Sequence, residues 1–193
     1  MTASQLTSLD AVAAAAKAQA PGRGLPPVHL WHPAHCGEID IVIRANGQWV
    51  HEGSPIGREA LVRLFSTVLR LDPDGYHLVT PGEKMRITVE DAPFVAVAVR
   101  RVTEDRGPVL RFTTNVGDEV DADAEHPIRV ETDAGTGEPR PYVMVRRGLE
   151  ALVARSVFYD LVDWSDASPT CDVLSVESAG QRFVLGHAES LAS

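Results

Sequence analysis

Lysine, cysteine and aromatic side chains are scarce in this 193-residue chain, and long apolar runs are missing altogether. Two of the 18 basic residues, Lys17 and Lys84, are lysines, and the basic total falls well short of 27 acidic residues, giving a net charge of −9. A chain this acidic lacks the electrostatic footprint of a nucleic-acid binder or a cationic membrane-surface protein. Neither lysine follows a glycine-rich turn, which excludes a phosphate-binding loop. Cys36 and Cys171 stand far apart and form no C-x-x-C pair, so a disulfide scaffold is excluded. Both are expected to be reduced thiols, buried as small apolar side chains, in a cytoplasmic bacterial protein. No stretch approaches the roughly 18 apolar residues that span a bilayer. The alanine-rich stretch 11–20 resembles a leader, but residues 1–9 carry no Lys or Arg, which argues against an export signal.

What is present is ordinary globular material: 44% hydrophobic, 23% charged and 6% aromatic residues, enough for one large domain or two small ones. Alanine propensity favours a helix over 8–19, and Pro21, Gly22, Gly24, Pro26 and Pro27 then break regular structure. Residues 1–27 therefore read as an N-terminal helical arm that must dock to persist. Ile39, Ile41 and Ile43 alternate with Asp40, Val42 and Arg44 up to Asn46-Gly47, a type I′ turn signal, so 48–52 is expected to return as the paired strand. Ser54-Pro55 reads as a helix cap and first turn. Leu61, Leu64, Phe65 and Val68 then recur with helical period, predicting one amphipathic helix over 55–71 ended by Asp72-Pro73. A hairpin about Pro81-Gly82 follows, with strands over 76–80 and at Met85, Ile87 and Val89. Two more strands are predicted over 94–102 and 109–115, then an acidic loop over 117–125.

The order then recurs. Strands over 128–132 and 142–145 flank a turn over 135–139, a helix is predicted over 147–162, and a closing hairpin turns at Ala179-Gly180. Gly57-Arg58-Glu59-Ala60-Leu61-Val62 matches Gly148-Leu149-Glu150-Ala151-Leu152-Val153 in five positions of six. The fold class expected is α+β: two related hairpin–helix–hairpin units with antiparallel sheets, over 28–105 and 106–193. One continuous sheet with two coincidentally similar helices is the competing reading.

Four of the seven histidines, His29, His32, His35 and His51, fall between 28 and 52 beside Cys36, Glu38, Asp40 and Glu52. His32, His35 and Cys36 are the candidate metal ligands, although no H-E-x-x-H or paired C-x-x-C frames them. The bland alternative is a proline-rich entry strand whose imidazoles hydrogen-bond to backbone. Ser54 misses the nucleophile-elbow spacing, and Pro55 removes an oxyanion N–H. Asp118, Glu119, Asp121, Asp123 and Glu125 fail the EF-hand pattern at His126 and Thr132 and read as a solvated loop. Arg44, Arg86, Arg111 and Arg182 lie on predicted strands, where they either fork an anion or pair with neighbouring acids.

Several short blocks carry a family resemblance. They include Trp31-His32-Pro33, Cys36-Gly37-Glu38-Ile39-Asp40, the run from Trp49 through His51-Glu52-Gly53-Ser54-Pro55 to Arg58, and Leu78-Val79-Thr80-Pro81. Glu90-Asp91-Ala92-Pro93-Phe94, Thr114-Asn115-Val116-Gly117-Asp118-Glu119 and Arg140-Pro141-Tyr142-Val143 follow. Across 24–163 the chain resembles the proteobacterial domain-of-unknown-function family 1285. The resemblance implies an α+β fold of two related units and a suggested part in regulation or signal transduction. It supplies no catalytic residue and no cofactor. The reading that results is a non-enzymatic small-molecule-binding or regulatory module. Trp31, Glu38, Asp40, His51, Glu52, Arg58, Asp91 and Asn115 are its candidate ligand-binding residues, and a small anionic ligand or a protein is the expected partner. The alternatives are a metal-assisted hydrolase using the segment 29–52, with Glu52 as base, and a structural homo-oligomer.

Overall fold

The computed structural model describes residues 9–18, 24–105, 107–167 and 173–187. Two compact units meet at Asp91 and Ala92. The sequence reading divides the chain at 105/106 instead, which puts the strand predicted over 94–102 in the first unit. Its pairing places it in the second.

In the first unit the alternating isoleucines build β1 (His35–Ile43) with Ile39, Ile41 and Ile43 buried. β2 (Trp49–His51) and β3 (Ser54–Pro55) complete a meander. Gly47 alone takes positive φ in the first turn, so Asn46-Gly47 sits in a wider loop closed by Arg44 N–H on the Gln48 carbonyl, not in a two-residue type I′ turn. Helix α2 is shorter than predicted, Glu59–Thr67, and begins at Arg58 without a side-chain cap; Ser54 and Pro55 belong to β3. β4 (Leu69–Asp72), β5 (Gly75–Val79) and β6 (Glu83–Val89) form a second meander. β6 then lies parallel to β1, giving the order β3-β2-β1-β6-β5-β4. The Trp49 and Phe65 rings stack at 6.3 Å beneath this sheet, and α1 (Leu9–Ala18) lies beside α2 with Val12 and Ala16 buried.

The second unit repeats that topology with the helix moved. β7 (Phe94–Glu104), β8 (Gly107–Thr114) and β9 (Glu119–Asp121) form one meander, and β10 (Ile128–Thr132), β11 (Pro139–Arg146) and β12 (Leu149–Val153) the other. β12 is parallel to β7, and the order β9-β8-β7-β12-β11-β10 mirrors that of the first unit strand for strand. Each sheet is therefore mixed, with one parallel pair at its centre, where antiparallel sheets were expected.

The helix predicted over 147–162 is contradicted: 149–153 is strand, and α3 runs from Arg155 to Asp163 after the sixth strand. The matching hexapeptides thus form a helix start at 57–62 and a strand at 148–153. The repeat lies in strand topology, not in that match. Outside this sheet, β13 (Asp166–Ala167), β14 (Val173–Ser178) and β15 (Gln181–His187) form a smaller sheet in which Ala179 and Gly180, both at positive φ, make the I′-like turn. Phe183 and Leu185 of β15 are buried, with β15 beside β10 and β14 beside β8 and α3.

Candidate functional site

The residues singled out in the sequence do not converge on one cavity. Glu38 and Asp40 are exposed on β1. The Asp40 carbonyl accepts the Glu52 N–H at 3.1 Å and lies 2.8 Å from His51 Nδ1, so these residues meet through the main chain and fix the β2–β3 turn. Glu52 holds φ of 48° there, followed by Gly53 at 75°. Arg58 is exposed at the start of α2. Trp31 is half-buried and offers its carbonyl to Arg70, and Asp91 is half-buried at the end of the first unit. Asn115 turns the chain between β8 and β9: its Oδ1 accepts the Val95 N–H at 3.0 Å while its own N–H donates to the Val95 carbonyl.

Cys36 is exposed, which corrects the expectation of a buried thiol; Cys171 lies outside the described residues. His32, His35 and Cys36 do not gather. Among the described residues the one cluster whose metal-type ligand atoms lie within 4.8 Å of one another is Asp72, Asp74 and His77. That cluster is already charge-compensated. Lys84 Nζ donates to Asp72 Oδ2 at 2.8 Å and lies 3.5 Å from Asp74, and Arg70 Nη2 donates to Asp72 at 2.8 Å. Burial alone raises the Asp72 carboxyl, but the Arg70 and Lys84 hydrogen bonds and charges outweigh it and hold it below the usual carboxylate range. Arg70 Nη1 also donates to the Val28 and Trp31 carbonyls at 2.8 Å each, pinning the 3₁₀ turn Val28–Leu30 against β4. The network is a clasp, with an ammonium where a metal would sit.

The acidic loop is likewise consumed by arginine. Arg111 pairs with Asp121 at 2.5 Å and with Glu104 at 2.6 Å, Arg100 with Glu119 at 2.7 Å, and Arg146 with Asp118. Asp123 caps the following turn through the N–H groups of Glu125 and His126. The hydrogen bonds Arg111 donates to Asp121, and then to Glu104, hold its guanidinium above its ordinary value, which gives a paired side chain and not one waiting for an anion.

The largest of the described cavities, about 580 Å³, lies in the second unit between the β10–β11 hairpin, β12 and the first turns of α3. Its lining mixes apolar side chains, Leu152, Phe158 and Val162 among them, with the charged Asp133, Glu138, Arg140 and Arg155. The hairpin loop is held by Asp133, whose Oδ1 accepts the Gly135 and Thr136 N–H groups at 2.9 Å each. Those two bonds, with Arg140 beside the other oxygen, lower the Asp133 carboxyl to about 2. Arg140 Nη1 lies 3.2 Å from Asp133, and its Nε donates to the Tyr142 hydroxyl at 3.1 Å. Across the mouth, Arg155 Nη2 donates to Glu138 Oε2 at 2.6 Å, the pair joining α3 to the hairpin. Tyr159, 56% exposed, stands at the opening. A smaller cavity of about 440 Å³ lies between β10 and β15.

Sequence reasoning missed this site because its walls come from segments some twenty residues apart that it had assigned to a turn and to one long helix. The signals available were the Asp133-x-Gly135-Thr136 turn and the aromatic pair Phe158-Tyr159.

The fold and cavity define an α+β protein of two topologically equivalent mixed sheets with a ligand-sized hollow in the second. The same division is found in a family of uncharacterised proteins. Residues 26–92 match the model for "Domain of unknown function (DUF1285), N-terminal domain", and 93–185 match "Protein of unknown function (DUF1285), C-terminal domain". The chain belongs to the DUF1285 family. It is similar to the crystal structure of a DUF1285 family protein from Silicibacter pomeroyi DSS-3, with a TM-score of 0.84 and 46% identity, covering 94% of this chain and 98% of that one. A DUF1285 family protein from Shewanella baltica OS155 is more distant, at TM-score 0.52 and 27% identity, covering 64% and 90% respectively. No curated protein matches the chain. Among the described residues no helix is long and apolar enough to cross a membrane.

Proposed function

We propose that the protein is a non-enzymatic module of regulatory type that binds a small molecule in the cavity of its second unit. The observation that carries this reading is the cavity itself: about 580 Å³, an apolar floor and a few convergent polar groups at the rim, the usual make-up of a ligand site. Three histidine contacts support the non-enzymatic part. His51 and His77 turn Nδ1 to backbone carbonyls and His126 turns its Nδ1 to Asp123, which are roles in shaping turns and not in activating a nucleophile.

A thermal-shift screen of the untagged chain against organic acids, amino acids, nucleotides and divalent metals tests the reading. A ligand at about 100 times its dissociation constant stabilises by roughly 2.7 kcal/mol, which raises Tm by about 5–10 °C for a protein of this size. Val162→Trp, which fills the cavity from α3, is expected to abolish that shift while the variant stays folded. A flat screen, or a shift that survives Val162→Trp, overturns the assignment.

A further inference from the structure

We infer that this cavity takes a zwitterion, an α-amino acid with a large apolar side chain, whose carboxylate takes Glu138's place on Arg155 and whose ammonium takes Arg155's place on Glu138. The inference rests on the reading of the cavity as a ligand site and names the class of its occupant.

Charge balance carries the argument. The rim holds two arginines and two carboxylates already in contact with one another, Arg140 with Asp133 and Arg155 with Glu138. The first pair is committed to the hairpin: Asp133 caps the loop and Arg140 also holds the Tyr142 hydroxyl. The second is exposed, its side chains 65% and 55% accessible, and although Arg155 also meets Tyr159, an exposed pair of this kind opens at little cost. A ligand of negative charge alone would take Glu138's place on Arg155 and set a like charge beside that carboxylate. A cation would do the same to Arg155. A ligand carrying both signs satisfies both partners at once.

Arg155 and Glu138 lie side by side, and an α-amino acid carries its two charges on neighbouring carbons, so a single compact headgroup reaches both once they part. On the Arg155 side the first turn of α3 begins at Ala154 with no capping side chain, which adds amide N–H groups where the carboxylate would lie. Phe158 and Val162, one helical turn apart, line the same cavity as Leu152 and Pro139, and its volume of about 580 Å³ accepts an aromatic side chain.

Isothermal titration calorimetry of the full chain with L-phenylalanine, 3-phenylpropionate and 2-phenylethylamine reads the charge requirement directly. L-Phenylalanine is expected to bind at least tenfold more tightly than either singly charged analogue. Arg155→Gln should bring it down to the level of the amine, and Glu138→Gln to the level of the acid. Both side chains are more than half exposed, so both variants are expected to keep the wild-type Tm. Equal or tighter binding of 3-phenylpropionate overturns the zwitterion and leaves the cavity as an anion site. Absence of binding by all three overturns it too. If the broad screen still shows a Val162→Trp-sensitive ligand, the cavity reading survives that failure; if it shows none, both fall.

Discussion

The Ser178 hydroxyl stands inside the β8 ladder, accepting the Leu110 N–H at 2.8 Å and donating to the Ala122 carbonyl at 2.6 Å. Leu110 and Ala122 keep one direct bond, from Ala122 N–H to the Leu110 carbonyl at 2.9 Å, and the return bond is relayed through the serine. Ser178 is fully buried, so the smaller sheet is fastened to the larger one exactly where β9 ends.

Removing that hydroxyl leaves a buried donor and a buried acceptor without partners. Ser178→Ala is expected to destabilise the protein by about 2–4 kcal/mol, the cost of two unsatisfied backbone groups. Urea denaturation measures it. A loss below about 0.5 kcal/mol would mean that the strands close directly or that water replaces the relay.

Arg70 fastens the first unit in a comparable way, with two backbone carbonyls and Asp72 on one guanidinium that is 16% exposed. Lysine carries the charge but cannot fork to all three acceptors. Arg70→Lys is therefore expected to cost about 1.5–3 kcal/mol. Hydrogen exchange should show the N–H groups of Leu30 and Trp31 losing protection ahead of β1. Uniform loss of protection across the sheet would place the side chain's role in the core instead of the clasp.

The strands were legible in the sequence where one face is buried: Ile39, Ile41 and Ile43 gave β1 directly, and Ala179-Gly180 marked the β14–β15 hairpin. The hexapeptide shared by 57–62 and 148–153 shows where local reading stops. At 57–62 it runs into Leu64, Phe65 and Val68, which continue a helical stripe, and Leu61 and Phe65 are buried on it. At 148–153 it follows Arg147 and Gly148, both at positive φ in a tight turn, and Leu149, Ala151 and Val153 are buried in strict alternation. Flanking turn and tertiary partner, β7 in parallel, decide the outcome, and neither is encoded in six residues. The parallel pairing of β1 with β6 joins positions more than forty residues apart and was invisible for the same reason. The cavity was hidden by the same limit in the second unit, since its helix wall begins only where β12, paired in parallel with β7, stops.

His77 predicts an acid-side loss of stability. Burial, and then the Lys84 ammonium, lower its pKa below 6.5, against the opposing pull of Asp74, Asp72 and the Gly75 carbonyl. Below pH 6.5 the unfolded chain binds a proton that the folded His77 refuses, so stability falls as pH drops through that value and continues falling to the folded pKa. Asp72, lowered from 3.8, adds its own loss only at more acid pH. His77→Gln is expected to reduce the fall of the urea midpoint as pH drops below 6.5, relative to wild type. An unchanged slope would assign the acid sensitivity to other histidines.

Ala179 takes φ of 50° in the β14–β15 turn, a conformation in which its Cβ crowds the following carbonyl, while Gly180 beside it adopts 73° at no such cost. Its N–H donates to the Pro108 carbonyl at 2.8 Å, so the turn is held in place and the strain cannot relax by shifting the chain. Asparagine tolerates this region and is favoured at the first central position of a type I′ turn. Ala179→Asn should therefore raise stability by about 0.5–1 kcal/mol without altering the register of Ser178 opposite Gln181. Guanidinium denaturation gives the first quantity, and the protection of the Leu110 N–H, which depends on Ser178 next door, reports the second. A stabilised variant with that protection lost would show that the turn strain and the serine relay are coupled. No gain at all would mean that the alanine's left-handed conformation costs less here than its dihedral angle implies.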